Sequence, residues 1–175
     1  PLIEDLPTGR MAVRTGRRAL SWRDDKPATL VYVEALDGGD PENNVEFRDE
    51  ILELEAPFAG EGKSLAKTKN RYSGIIWGDD NTAILADYWW NNRNTKTYTF
   101  NPSDGSKDPK VIFDRNYQDR YSEPGDFVTK KNTLGREVLA MSQGSAFLIG
   151  DGYSDKGQFP FVDKMDLATG KNTRI

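Results

Sequence analysis

The chain contains neither histidine nor cysteine. Without an imidazole it has no general base for a Ser-His-Asp hydrolase, and the nucleophile-elbow pattern Gly-x-Ser-x-Gly is also missing, because Gly144-Ser145-Ala146 lacks its spacing. The same two absences exclude zinc sites made of His and Cys ligands and a disulfide framework. We therefore expect a scaffold with no catalytic residues, no cofactor and no metal.

Long apolar runs and an excess of positive charge are also lacking. No stretch approaches eighteen apolar residues, the N-terminus shows no signal-peptide progression, and the formal net charge is −4, so we expect neither a membrane nor a nucleic-acid partner. The basic run Arg10, Arg14, Arg17 and Arg18 favours a solvated lead-in over an anion site, since no glycine loop accompanies it. Because residue 1 is proline, we expect a piece of a longer polypeptide, whose compartment stays open.

An internal echo is the most informative positive feature. The segment Trp22 to Leu30 returns 55 positions later as Trp77 to Leu85, each copy having a Trp, an Asp-Asp turn and an apolar β-rich run. Such a repeat predicts two neighbouring antiparallel strands in each of several stacked units. The spacing is typical of propeller blades.

Strand and turn signals extend this repeat along the chain. They predict an all-β fold of consecutive four-stranded antiparallel blades, which together make a partial β-propeller of two and a half to three blades. Residues 1–18 show neither the helical nor the strand period of apolar residues, and they are interpreted as a connecting arm. The predicted blades are 19–68, 72–115 and 126–175. In the third blade the predicted strands are 127–131, 138–141, 146–150 and 161–167.

Two acidic loops need a test as calcium sites. Residues 37–42 and 151–157 each carry two or three carboxylates beside glycine, but neither has the alternation and distal Glu of a twelve-residue calcium loop. Ordinary turn chemistry is the favoured interpretation for both. The remaining acidic residues are scattered over turns, so no glycosidase-like carboxylate pair stands out.

The run Tyr88-Trp89-Trp90, followed shortly by Arg93, is the most unusual local sequence. Adjacent residues of a strand face opposite ways, so Trp89 and Trp90 cannot share one core. Two interpretations stay open. Packing between blades is the simpler one, because large aromatic side chains dominate sheet-on-sheet cores. The alternative is a platform for a sugar or peptide, with Arg93 holding a carboxylate.

Several motifs together resemble one protein family. In chain order they are Trp22-Arg23-x-Asp25-Lys26-Pro27-x-Thr29-Leu30, Glu34-Ala35-x-Asp37-Gly38-Gly39-Asp40, Tyr72-Ser73-Gly74-Ile75-x-Trp77-x-Asp79-Asp80, Ile112-Phe113-Asp114-Arg115, Asp119-x-Tyr121-Ser122-x-Pro124-Gly125, Pro160-Phe161-Val162-Asp163 and Asp166-x-x-Thr169-Gly170. The pattern resembles the propeller segment of glutamyl-endopeptidase-like members of the prolyl oligopeptidase family of serine peptidases. It covers most of the chain from Ala19 onward.

This resemblance implies a peptidase with an N-terminal propeller and a C-terminal α/β-hydrolase domain that enclose the active site together. No position of this chain matches the family's catalytic Ser, Asp and His, so no catalytic residue is carried over. The expected partners are that hydrolase domain, the remaining blades and the peptide substrate. The expected role is to help gate peptide access.

Two further expectations follow from the sequence. An independent propeller-like module that binds carbohydrate or peptide through Trp89, Trp90 and Arg93 is the competing function. A partial ring also leaves unpacked sheet faces at both ends, which predicts that the isolated chain either self-associates through those faces or is less stable than its parent.

Overall fold

The structure is a computed structural model that describes residues 7–175, and the regular elements in that range are all β-strands. There are seventeen of them, and all their pairings are antiparallel. No helix that could cross a membrane occurs in this range. The first six residues of the predicted arm lie outside the described residues.

Sheet 1 is a four-stranded meander in which each strand pairs with the next along the chain. Its strands are β1 (Arg18–Trp22), β2 (Thr29–Ala35), β3 (Asp49–Glu55) and β4 (Lys63–Thr68). Val31 and Val33 of β2 point to one face and Tyr32 to the other, and all three are buried. Both faces of the central strands are therefore covered.

Sheet 2 repeats the same meander. Its strands are β5 (Arg71–Asp79), β6 (Thr82–Trp89), β7 (Asn94–Phe100) and β8 (Lys110–Asn116). Short polar turns rich in Asp and Asn join them, and side chains such as Asp79 and Asn92 accept hydrogen bonds from backbone N–H groups two residues ahead. This local chemistry keeps the connections between the strands of sheet 2 short.

Sheet 3 differs from the expectation. Its path is β12–β13–β16–β17, with β9 paired to β13 on the side that β12 also occupies. Its strands are β9 (Asp126–Phe127), β12 (Met141–Ser142), β13 (Ser145–Gly150), β16 (Phe161–Asp166) and β17 (Asn172–Arg174). The first strand of this sheet is therefore split into two short pieces.

A two-stranded ribbon is inserted between those pieces. It consists of β10 (Thr129–Lys131) and β11 (Glu137–Leu139), which pair with each other and with no strand of sheet 3. The predicted strands 127–131 and 138–141 are therefore wrong as two full members of the blade, since only Phe127 and Met141 of them belong to strands that pair with β13. The fourth strand of the blade is β17, which pairs with β16 and was not predicted. A second small ribbon pairs β14 (Tyr153–Ser154) with β15 (Gly157–Gln158).

The three sheets stack face to face in chain order. Sheets 1 and 2 enclose one apolar core, in which Val33, Leu65, Trp77 and Leu85 are at most 1% exposed. Sheet 2 contacts the third unit through a second core around Ile84 of β6, with Leu139 and Ala146 opposite. The fold is thus all-β and propeller-like, with no closed barrel in residues 7–175, which confirms the predicted fold class.

The echo at 55 positions has a structural basis, but the two tryptophans differ. Trp77 pairs with Ala83 and is 1% exposed, whereas Trp22 pairs with Leu30 across a longer turn and is 47% exposed. The longer turn places Arg23 at the interior position, and its guanidinium carbon lies 4.3 Å from the centre of the Trp77 ring. Equivalent sequence positions therefore do not have equivalent packing.

The described part of the arm packs against the sheets. The N–H of Val13 donates to the Gly39 carbonyl at 3.0 Å. Arg17 lies 4.7 Å over the Tyr32 ring, and Arg18 begins β1 and pairs with buried Asp49. Arg17 and Arg18 are therefore half-buried side chains in protein contacts and not solvated ones.

Candidate functional site

The tryptophan run lies at one end of sheet 2. Trp89 is the last residue of β6, and Trp90 begins the turn that leads to β7. Arg93 has a left-handed backbone with φ of 59°, and its N–H donates to the Trp90 carbonyl at 3.3 Å. Its guanidinium also donates to that carbonyl. The turn thus brings Trp90 and Arg93 together.

Each tryptophan ring is already covered by arginine. The guanidinium carbon of Arg48 lies 4.1 Å from the centre of the Trp89 ring, and those of Arg10 and Arg93 lie 4.2 Å and 4.0 Å from the Trp90 ring. Such contacts contribute about 0.5–1 kcal/mol each at exposed sites. Both indoles are half-buried. A ligand that stacked on Trp90 would have to displace a guanidinium.

Sequence reasoning missed two members of this cluster. Arg10 comes from the arm and Arg48 from the loop before β3, about 40 to 80 positions away from the tryptophans along the chain. The run of arginines at 10–18 was visible, but nothing local pairs it with aromatic residues. Only the folding of the arm across sheets 1 and 2 makes these contacts.

A buried ionic cluster lies next to Arg48. Asp37 accepts hydrogen bonds from Arg48 at 2.8 Å and from Arg71 at 2.9 Å, and its side chain is fully buried. Burial alone would raise the pKa of Asp37, but the hydrogen bonds from Arg71 and Arg48 outweigh burial and hold that pKa below its ordinary value. Asp37 is therefore a structural anion for Arg48 and Arg71, and it also accepts the turn hydrogen bond from the Gly39 N–H at 2.9 Å.

Arg71 connects three parts of the chain. Its side chain, 2% exposed, also reaches Asp49 at 3.1 Å and the Met11 carbonyl at 2.8 Å. Asp49 in turn accepts the N–H of Tyr72 at 2.7 Å. The arm, sheet 1 and the start of sheet 2 are thus held together at one buried guanidinium.

A second buried carboxylate, Asp87, is saturated by donors. It accepts from Asn70 N–H and Nδ2 at 3.0 Å each, from Lys96 N–H at 3.1 Å and from the Tyr98 hydroxyl at 2.6 Å. Burial raises the pKa of Asp87, and burial beside this carboxylate raises that of Tyr98. With four donors on two oxygens and no exposure, Asp87 is placed for structure and not as a general base.

The inserted ribbon reaches from sheet 3 across to sheet 1. The Arg136 guanidinium donates to three carbonyls of the turn after β1, which belong to Arg23 (2.9 Å), Lys26 (2.7 Å) and Pro27 (3.3 Å). Asn132 donates to the Asp24 carbonyl at 2.7 Å. Strand β11 also packs against β5. The ribbon therefore joins the first-strand edges of all three sheets.

Both acidic loops contain ordinary turn hydrogen bonds. Asp40 accepts the N–H of Glu42 at 2.9 Å, which is an ordinary turn hydrogen bond. Within residues 7–175 there is no group of three acidic side chains placed to hold a metal ion.

Comparison with known proteins indicates the class of this chain. No family model matches it, and no solved structure does. Two curated proteins named "Probable glutamyl endopeptidase, chloroplastic" match, one from Arabidopsis thaliana with 37% identity over 183 residues and one from Oryza sativa subsp. japonica with 36% over 182.

Both matches cover 100% of this chain but 19% of the relative. The chain thus spans about a fifth of the length of these curated relatives, and it is related to part of a peptidase-type protein.

Proposed function

We propose that the chain is a non-catalytic part of the β-propeller of a prolyl-oligopeptidase-type serine peptidase, where it helps to limit which peptides reach a hydrolase domain. Its partners in this proposal are that domain, further propeller blades and the peptide substrate. One observation carries the proposal: an all-β stack of sheets aligns over its whole length with a minor segment of peptidase-named proteins.

The chemistry of the chain supports a passive role. It contains no histidine, and its buried carboxylates Asp37 and Asp87 are occupied by protein donors. The buried arginine links and the ribbon make adjacent sheets hold one another, and a rigid wall is what a size filter needs.

The filter is tested on the longer polypeptide that carries this chain. We expect hydrolysis of a short fluorogenic peptide and little hydrolysis of the same sequence within a folded protein domain. Trp77→Leu, which loosens the core between sheets 1 and 2, should raise the relative rate on the folded substrate. Trp22→Leu, an exposed position, is the matched control. Equal rates on both substrates, or no peptidase activity at all, would contradict the proposal.

A second candidate is a binding module that uses Trp89, Trp90 and Arg93. The observation in its favour is that two indoles and three guanidiniums gather at one end of sheet 2. Calorimetric titration with sugars and acidic peptides tests it. A site lost in Trp90→Ala and kept in Trp22→Ala would support this function, and the absence of any saturable heat would remove it.

A further inference from the structure

An open cleft of about 410 Å³ lies between sheet 2 and the segment that leads into β9. Its floor includes one row of directly paired residues that crosses all four strands of sheet 2. This row is Gly74, Ala86, Thr97 and Phe113. Phe127 of β9 stands opposite, with its ring centre 6.5 Å from that of Phe113. The volume falls in the range of small-ligand sites.

The cleft exists because side chains shrink along this face of sheet 2. At the neighbouring row, Ile76 pairs with Ile84, and both belong to the core that contacts sheet 3. Two positions along, the paired residues are Gly74 and Ala86, which cannot reach across. A Cβ placed on Gly74 would meet no atom within 4 Å. The two sheets therefore touch at the isoleucines and leave space beside them.

The rim of the cleft carries more negatively than positively charged side chains. Arg115 donates to the carbonyls of Asn116 and Asp119 at 3.2 Å and 3.1 Å, and its guanidinium is 3.8 Å from Glu123. Asp126 on the opposite side is exposed and forms no ion pair with any other described residue. The rim thus carries one arginine and two carboxylates, so it favours a positive charge.

We propose that this cleft binds an apolar peptide side chain that neighbours a positively charged residue. The apolar group occupies the space above Gly74 and Ala86, between Phe113 and Phe127, and the positive charge lies near Asp126. The choice of a peptide as ligand rests on the proposed function. The cleft itself lies between elements of this chain and needs no other domain.

The test uses this chain and three peptides, acetyl-Phe-Lys-amide, acetyl-Phe-Gln-amide and acetyl-Phe-Glu-amide, followed by NMR titration. We expect saturable shifts at Phe113 and Phe127, with the lysine peptide bound about two- to fivefold more tightly than the glutamate peptide. Asp126→Asn should reduce that preference and leave the binding of the glutamine peptide unchanged. Equal affinities for all three peptides, or no saturable shift, would overturn the proposal.

A substitution that fills the cleft provides an independent test of the site. Gly74→Leu should weaken binding of the lysine peptide at least about tenfold, because the new side chain takes the place of the ligand. Ser73→Leu adds the same side chain at the adjacent exposed residue, which does not line the cleft, and should bind as the wild type does. Unchanged affinity in Gly74→Leu would contradict the proposed site.

These results are separable from those on peptidase activity. Binding by this chain without peptidase activity in the longer polypeptide would refute only the proposed function. Peptidase activity without binding here would refute only the cleft.

Discussion

At the scale of the residue, buried charged side chains characterise this chain more than residues suited to binding a ligand do. Arg71 reaches Asp37 and Asp49, and all three side chains are at most 2% exposed. A buried pair is weak evidence for net stability, because desolvation offsets the attraction. Removing one partner is different, since it leaves the other charges buried and uncompensated.

Arg71→Met should therefore lower the free energy of unfolding by about 3–5 kcal/mol. Lys69→Met is the control, because Lys69 pairs with Glu46 on the surface and its loss should change stability by less than about 1 kcal/mol. Urea unfolding followed by tryptophan fluorescence measures both. Similar effects in the two variants would mean that the cluster is not the link that we describe.

The same cluster makes the stability of the folded chain depend on pH. The pKa of Asp37 is lower in the folded chain than in the unfolded chain. The stabilisation that this carboxylate provides is therefore complete above its unfolded pKa of about 4. That contribution is lost as the pH falls through the lower folded pKa, because protonation then breaks the contacts with Arg71 and Arg48. Unfolding by urea at pH values from about 6 to 3 should show stability falling.

Asp87 changes stability with pH in the opposite direction, because burial raises its pKa and the folded chain binds a proton there more readily than the unfolded chain does. The comparison that isolates Asp37 is therefore Asp37→Asn, which should be less stable at neutral pH and have a shallower acid dependence. An identical slope in variant and wild type would contradict the assignment.

At the residue scale the sequence predicts turn chemistry better than it predicts contacts. The Asp and Asn turns of sheet 2 and the structural use of Asp37 depend on neighbours a few positions away. The arginine contacts of Trp89 and Trp90 depend on residues from the arm and the loop before β3. No local pattern carries that information, so the site was seen only in part.

Among the elements, the inserted ribbon is the least predictable, and it contacts both sheet 1 and sheet 2. Val138 and Leu139 have strand-like sequence, which made them look like members of sheet 3. The structure pairs them instead with β10, and residues 172–174 form the fourth strand of sheet 3. Local β-propensity identifies a strand but does not choose its partner. The meanders of sheets 1 and 2 were predictable because short turns leave only the next strand as neighbour.

The ribbon gives a prediction at this scale. Arg136→Ala removes the donors to three carbonyls of the turn between β1 and β2, so residues 129–139 should exchange their amide hydrogens about tenfold faster or more. Lys130→Ala, at an exposed position of the same ribbon, is the control and should leave exchange unchanged. Hydrogen exchange read by mass spectrometry measures both. Unchanged exchange in Arg136→Ala would show that the ribbon is held by other contacts.

At the scale of the whole molecule, the two end sheets present apolar groups outward. Ile149 of sheet 3 is 55% exposed and Ile175, which follows β17, is 69% exposed, and Leu20 and Trp22 are exposed on sheet 1. Ile149 pairs directly with Val162, also exposed, so the two form a small apolar surface. An apolar sheet face normally needs a partner.

We therefore expect the isolated chain to self-associate with increasing concentration. Exchanging both Ile149 and Val162 for lysine should shift sedimentation toward the monomer. Val111→Lys changes an exposed apolar residue on β8 and should have no such effect. A wild-type chain that stays monomeric over the concentrations tested would contradict this role of the outer face.

Under the proposed function, the chemistry of the peptidase lies outside these 175 residues. A fluorophosphonate probe, which modifies activated serine nucleophiles, tests it most directly on this chain and on the longer polypeptide that carries it. We expect labelling of the longer polypeptide at a serine beyond this segment and none on this chain. Labelling of a serine within residues 1–175, lost when that serine is replaced by alanine, would contradict it.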